Sequence, residues 1–359
     1  MTALNQLEPG GLIAAFGRHP PAGFATKELL PGVPAFDTRF DVLTTASSAM
    51  RARVRALPFY RRWQNLTRPR TLFVGTTVSE YVLLDEDMPA DRFIAMLKEV
   101  VAPRYPILII KDIPHNSPIL GASANDQADA RVKAARAAGF VIVQGQALAY
   151  VPIDFDSIDS YLSRLSAARR KNIRRKLRSR SELDIEVVPT GAACFEDDAL
   201  RERLYALYLN VYRQSDVQFD LLSAEFFAKL LRARDDGGVV FVYRHSGELI
   251  GYNLCYVRDG RLIDKYIGLA YPQARNANLY FVSWIQNLEY ALKNRLDTYV
   301  AGWTDPQVKA ELGAHFTYTR HAVHVRNRLL RTILRMTSPQ FEADRAWGDA
   351  SGVPQTRHP

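Results

Sequence analysis

The stretch "VKAELGAHF" (308–316) echoes "VKAARAAGF" (132–140), and each runs from a short helix-forming segment into strand-forming residues. Matching junctions in the two halves of a chain predict an internal duplication, because self-similarity at a long period marks one structural unit used twice. Upstream of the first junction, "TLFVGTTVSEYVLL" (71–84) alternates like a strand and "ADRFIAMLKEVVAPRY" (90–105) has helical spacing. "PILIIKDIP" (106–114) is a short apolar run closed by proline, and a helix (126–140) leads into a pair of strands (141–153). The second junction has the same surroundings. "VVFVYRHSGELIGYNLCYVRD" (239–259) reads as a hairpin turning at Ser246-Gly247, followed by strand "RLIDKYIGLAY", helix "LYFVSWIQNLEYALKNRL", strand "DTYVAGW", short helix "PQVKAELGA" and final strands "HFTYTRHAVHV". Residues 195–234 read as two amphipathic helices and 44–63 as a further one, while the tail from about Phe341 is rich in turn formers and expected to be loosely ordered.

At 359 residues, with 47% hydrophobic and 11% aromatic content, the chain has room and material for two packed domains, which excludes a disordered protein. The excess of 47 basic over 38 acidic residues favours an acidic partner: a phosphorylated small molecule, RNA or an anionic membrane. Cys194 and Cys255 stand in different segments without metal-ligand spacing, so neither a disulfide framework nor a metal site is expected, and a reducing cytoplasm fits. No apolar run approaches a membrane span, and the N-terminal apolar stretch is too short for a signal peptide.

Between the two repeats lies "IDSYLSRLSAARRKNIRRKL" (158–177), predicted as one basic helix with Ile158, Leu162, Leu165, Ile173 and Leu177 on its buried stripe. Arg170, Lys171, Arg174, Arg175 and Arg178 lie opposite the stripe, whereas Arg169 and Lys176 project into it and call for an anionic partner. The chain thus divides into a first unit (1–155), the basic connecting helix (156–182), a second unit (183–338) and a tail (339–359).

Helices, an antiparallel hairpin, a strand, a helix, a strand, a short helix and final strands, in that order, resemble the GNAT acyltransferase fold. Two such units joined by "YLSRLSAARRKNIRRKLR", with "GELIGYNLCYV", "LIDKYIGLAY" and "GWTDPQVKAELGA" in the second, resemble the double-GNAT arrangement of Fem-type peptidyltransferases and CelD-like acyltransferases. The resemblance implies an α/β fold with a mixed sheet in each of two tandem GNAT-like units. It also implies an acyltransferase moving an acyl group from acyl-CoA, without a metal, to an amine. One departure stands out: where GNAT enzymes carry a glycine-rich turn for the coenzyme A pyrophosphate, "QARNANLYF" (273–281) offers Gln273 with Asn276 and Asn278 in place of glycines. Asparagine tolerates the left-handed backbone such a turn needs, and it equally serves as a helix cap.

Acyl transfer to an amine needs a group to take the proton and donors for the oxyanion. Simple alternation places Leu262, Asp264 and Tyr266 on one side of the strand Arg261–Gly268, so Asp264 is the candidate base with Tyr266 beside it. Backbone amides near Ile267 and Gly268 are candidate contacts for the acyl donor. Lys309, paired by position with Lys133 of the first repeat, is a candidate holder of a carboxylate or phosphate, and Asp305 reads as a helix cap ahead of Pro306. Arg169 and Lys176 would then meet a phosphate or carboxylate of donor or acceptor. Two alternatives stay open: aminoacyl transfer from tRNA, with the outer arginines as the RNA contact, and a non-catalytic module that binds RNA or an anionic membrane, the latter through the basic, apolar segment 325–336.

Overall fold

A computed structural model of the chain describes residues 3–42, 52–53, 56–59, 62, 64–85, 87–215 and 218–337. The helix expected at 44–63 lies mostly, and the tail from 339 wholly, outside these residues. The described elements begin with α1 (Gly10–Arg18), β1 (Ala25–Leu30), β2 (Val33–Arg39), β3 (Arg70–Val74), α2 (Ala90–Met96), β4 (Ile107–His115), α3 (Ala122–Ala137) and β5 (Val141–Pro152). There follow α4 (Ile158–Ser163), α5 (Ala167–Lys176), β6 (Leu183–Pro189), α6 (Asp198–Gln214), α7 (Ala224–Leu231), β7 (Gly238–His245), β8 (Glu248–Arg258) and β9 (Arg261–Leu269). The series ends with α8 (Gln273–Asn276), α9 (Leu279–Lys293), β10 (Thr298–Gly302), α10 (Pro306–Glu311), β11 (His315–Val325) and α11 (Arg328–Thr337).

The chain forms two compact units. Among the described residues, the first takes in 3–6, those of 22–147, and 317–337, the second those of 7–21 and 148–316. In the first the strand order is β1-β2-β3-β4-β11-β5, and in the second β5-β10-β9-β8-β7-β6. Pairing follows one scheme in both. β1-β2-β3 are antiparallel, β3-β4 parallel, and β4 is antiparallel to β11. Likewise β7-β8-β9 are antiparallel, β9-β10 parallel, and β10 is antiparallel to β5. The last strand of each repeat thus completes the sheet of the other repeat's unit. The helices that lead into those strands end alike: the N–H of Phe140 bonds Ala135 O and that of Ala314 bonds Lys309 O, each just after a left-handed glycine, Gly139 or Gly313.

Local chemistry accounts for the second unit's layers. Ser246-Gly247 and Asp259-Gly260 all have positive φ, the geometry of tight hairpin turns, and so fold β7, β8 and β9 into a meander. Helix α9 buries Leu279, Val282, Trp284, Ile285, Leu288 and Ala291, which spread round most of its circumference, as in a helix covered on several sides. It packs on the sheet face carrying Phe241 and Tyr299 through the contacts Tyr290–Phe241 and Trp284–Tyr299. The opposite face, with Tyr252 and Tyr266, is covered by α6 and α7, whose Tyr208, Phe226 and Phe227 surround the Tyr266 ring. In the first unit, Leu72, Val74, Leu108 and Ile110 pack with Phe93, Ile94 and Leu97 of the α2 segment and Ala128 and Val132 of α3.

Three expectations change. The strand read over 71–84 stops at Val74, because Gly75 takes φ +118. The buried residues beyond it are held instead by side chains: Thr76 Oγ1 accepts the N–H of Ser79, and Asn5 Oδ1 that of Leu84. The strand pairs read over 141–153 and 315–325 are single strands of 12 and 11 residues, since neither segment holds a residue at positive φ on which to turn. Finally, the basic helix is broken. Ser166 takes extended ψ 153 and its Oγ accepts the Arg169 N–H, starting α5, while Arg170 donates to the carbonyls of Ser163 and Leu165 and closes α4.

In the first unit Gly145 of β5 lies so close to β11 that a Cβ would stand 2.1 Å from Thr319 Oγ1. Gly145→Ala is therefore expected to destabilise by about 1–3 kcal/mol, the range for overpacking. Adding Thr319→Ala should recover much of that loss, measured as denaturation midpoints in a double-mutant cycle.

Candidate active site

In the second unit, β9 and β10 run parallel only for the pairs Arg261–Thr298, Leu262–Tyr299 and Ile263–Val300. Beyond them β9 continues to Leu269 without this neighbour. Both strands are irregular at that level. The register of β10 with β5 jumps between Val300 and Gly302, leaving Ala301 as the extra residue. The register of β9 with β8 jumps as well: Asp264 pairs with Cys255 but Tyr266 with Leu254, so Lys265 is extra.

That bulge overturns the simple alternation. Because Leu254 and Cys255 are consecutive on β8, their partners Tyr266 and Asp264 lie on opposite faces of the sheet. Tyr266 is not beside Asp264. Its ring is buried among Phe226, Phe227 and Tyr208, and its hydroxyl, among the described residues, has no hydrogen-bond partner. Lys265, the extra residue, turns its ammonium to the buried Glu8 carboxylate at 3.2 Å.

Asp264 is half-buried and gathers donors from four directions. Tyr299 Oη donates at 2.9 Å, Asn287 Nδ2 of α9 at 3.1 Å, Asn253 Nδ2 of β8 at 3.3 Å and the Cys255 thiol at 3.6 Å. Burial pushes the carboxyl above the usual range, against the opposing pull of the Tyr299 and Asn253 hydrogen bonds and the Lys309 charge. The same burial, with Asp264 alongside, pushes the Cys255 thiol and the Tyr299 phenol well up. The result is a carboxylate with raised proton affinity among neutral donors. Lys309 is buried, and its ammonium donates to Ala301 O at 2.6 Å, satisfying the bulged carbonyl of β10. Aligned on the glycine caps, Lys309 corresponds to buried Ala135, while Lys133 is exposed, so the two lysines are not counterparts.

The other expected residues fall in three places. Gly268 is buried where a Cβ would meet the Tyr252 ring at 2.2 Å and Leu207 at 2.9 Å, a packing reason for glycine, and Ile267 precedes it in pairing with Asn253. Gln273 and Asn276 are exposed on α8, and Asn278, at φ 49, starts α9 in the left-handed conformation, without a capping bond from its own side chain. Asp305 likewise precedes α10 at φ 53 without a side-chain cap. On α5, Arg169 is exposed, with Nη1 3.4 Å from Ala310 O, so no buried charge there demands neutralising. Lys176 is half-buried with its ammonium 3.4 Å from the centre of the Phe281 ring; burial lowers its proton affinity while Glu311 supports it. Asn253, Asn287, Cys255 and Tyr299 escape the sequence reading, although a polar residue inside an apolar run, as in "GYNLCYV", is the signal that marks Asn253.

Among the described residues no group of three or more His, Cys, Asp or Glu is placed to hold a metal ion, and no helix is long and apolar enough to cross a membrane. The fold compares with solved structures over most of its length. The C-terminal domain of a putative lysylphosphatidylglycerol synthetase from Agrobacterium fabrum is similar with TM-score 0.53 at 12% identity, covering 95% of this chain and 90% of that one. L-PGS from Bacillus licheniformis gives TM-score 0.51 at 10% identity, over 96% and 98% of the two chains, and FemX 0.49 at 11%, over 90% and 97%. No curated protein matches in sequence. The paired GNAT-like units are a transferase fold of the double-GNAT, Fem type. The chain belongs to the FemAB-like family, described as peptidoglycan biosynthesis/recognition, whose model matches residues 106–339.

The raised proton affinity of Asp264 has a definite sign. A carboxyl whose folded-state pKa lies above its unfolded value stabilises the fold below the unfolded pKa, and that contribution is lost as pH rises through the folded pKa. Asp264→Asn removes this loss, and the amides of Asn253 and Asn287, whose Oδ1 atoms are buried without partners among the described residues, can rotate to accept from the new amide. The midpoint of the variant relative to wild type should therefore rise with pH between acid and mildly alkaline buffers. A constant or falling difference would show that Asp264 ionises without cost.

Proposed function

We propose that this transferase moves an acyl group from acyl-CoA to an amine of an acceptor, and that the reaction takes place beside Asp264. The observation that carries the proposal is a half-buried carboxylate of raised proton affinity at the level where two parallel strands lose each other as partners. A base with proton affinity moved toward neutrality suits the deprotonation of an amine. In this scheme Asp264 takes the amine proton, and Tyr299, Asn253 and Asn287 fix its carboxylate. Lys309 acts at one remove, by holding Ala301 O and so the edge of β10. The stretch of β9 at Ile267 and Gly268, paired to β8 but beyond its pairing with β10, receives the acyl group, and the start of α9, with Gln273, Asn276 and Asn278 around it, receives the pyrophosphate of the donor. Tyr266 has no part in it.

Transfer of an aminoacyl group from tRNA is the second reading, supported by the exposed basic side of α5 and the turn after it, where Lys171, Arg175 and Arg178 stand in solvent. Arg174, by contrast, is paired with exposed Asp159 at 2.8 Å.

Asp264→Asn should lower turnover about 100-fold or more, the scale of lost general base catalysis, without loss of fold. Full activity in this variant would remove Asp264 from the mechanism. The donor is identified by ligand-induced stabilisation: acetyl-CoA or a longer acyl-CoA at 100 times its dissociation constant should stabilise the protein by about 2.7 kcal/mol, whereas a response to aminoacyl-tRNA alone favours the second reading. Lys176→Met, at Phe281 in the first turn of α9, should weaken a small-molecule donor, whereas exposed Arg169→Met should have the smaller effect. Replacing Arg175 and Arg178 should leave that donor unaffected but flatten the salt dependence of any RNA binding, by about one unit of slope for each phosphate no longer neutralised.

A further inference from the structure

Helix α11 follows β11 in the first unit and carries "RLLRTILRMT". At about 100° per residue, Leu329, Ile333 and Met336 fall within roughly 60° of one another, and Arg328 and Arg335 lie together on the adjoining flank. A helix of this composition in a soluble fold normally turns its apolar face inward. Here it does not: Leu329 is 70%, Leu330 55% and Met336 77% exposed. The side turned to the rest of the unit lies between the two flanks instead, at half-buried Leu334 and Arg331, whose guanidinium reaches His324 Nε2 at 3.4 Å. The apolar arc and the arginine flank therefore face outward together.

The neighbouring surface has the same character. Arg326, just before the helix, bonds through its N–H to Pro106 O at 3.0 Å and through Nη1 to Pro103 O at 3.1 Å, tying the start of α11 to the turn that follows α2. That turn presents exposed Lys98, Val100 at 52% exposure, and Arg104, with Glu99 the acid between them. From Arg326 to Thr337 the chain has four arginines and no acid.

We propose that α11, with the adjoining turn, is an interfacial helix that seats the protein on an anionic lipid bilayer. Aliphatic side chains bordered by arginines on an outward-facing helix can enter the boundary between headgroups and acyl chains while the guanidinium groups stay at phosphate level. Charge complementarity selects this occupant over a second copy of the chain, because two such segments, each with four arginines and no acid, would bring like charge against like. The proposal is independent of the chemistry at Asp264, and its test needs no substrate.

The test is cosedimentation of the full chain with phosphatidylcholine vesicles, with and without phosphatidylserine. The wild type should sediment with the anionic vesicles, less so as salt is raised, and not with phosphatidylcholine alone. Leu329→Glu with Met336→Glu should abolish this while leaving the thermal midpoint unchanged, since both side chains are exposed. Arg328→Gln with Arg335→Gln should weaken vesicle affinity about 30-fold, at roughly a factor of five per charge at the surface. Failure of the wild type to bind anionic vesicles overturns the proposal, as does equal binding with or without phosphatidylserine, or undiminished binding by the glutamate variant. A wild-type dimer that the glutamate variant converts to monomer, with vesicle binding absent, would assign the face to self-association instead.

Discussion

Where β9 and β10 stop pairing, two strand edges lose their ladder inside the second unit, and each backbone group left there must find another partner or cost about 1–3 kcal/mol. Much of the site answers that demand. Lys309 spends its ammonium on the carbonyl of Ala301, and Asp264, just past the last parallel pair, is met by Asn287 of α9 and Tyr299 of β10. A carboxylate placed there costs solvation, and the surrounding donors return only part of it, so its proton affinity stays high. The strand geometry thus sets the chemistry of the side chain.

The bulge at Lys265 is itself held in place. Its ammonium meets Glu8, a residue more than 250 positions earlier in the chain, and both side chains are buried. A buried ion pair adds little net stability, but loss of one member leaves the other uncompensated at considerable cost. Register is what such a pair can specify: a slip that removed the bulge would carry Lys265 away from Glu8 and Asp264 to the wrong face of the sheet. Arg258 Nη1, donating to Glu8 O at 2.8 Å, holds the same N-terminal segment from β8.

The order of elements was legible because it rests on local signals: hairpin turns at Ser246-Gly247, the apolar residues of α9, and the recurring helix-to-strand junctions. Asp264 was legible as an ionisable group in an apolar strand. Its relation to Tyr266 was not, because a one-residue bulge leaves no mark in the alternation of "LIDKYIGL" and depends on pairing with β8. The exchange of final strands was hidden for a similar reason, since β5 and β11 read alike whichever sheet they join. The break at Ser166 had a signal, a serine ahead of "AARR", that the continuous basic pattern overrode.

The two repeats meet one constraint with different residues. In the first unit the last parallel pair is Val74–Ile110, and the residue after Val74 is Gly75, with no side chain to ionise; in the second the last pair is Ile263–Val300, and the residue after Ile263 is Asp264. Both partings are closed by a lysine on a backbone carbonyl, but from opposite sides. Lys111, directly after the pair on β4, reaches across to Thr76 O at 2.8 Å, whereas Lys309 comes from α10 to Ala301 O at 2.6 Å. With the lysine on the strand, as in the first unit, the ammonium points at the loop after β3 and ties it down. With the lysine withdrawn to the helix, the segment of β9 beyond the parting keeps its own course to Leu269, and a carboxylate can stand on it. The same strand scheme thus has its parting closed in two ways, by a lysine on the strand in one unit and by a lysine on the following helix in the other.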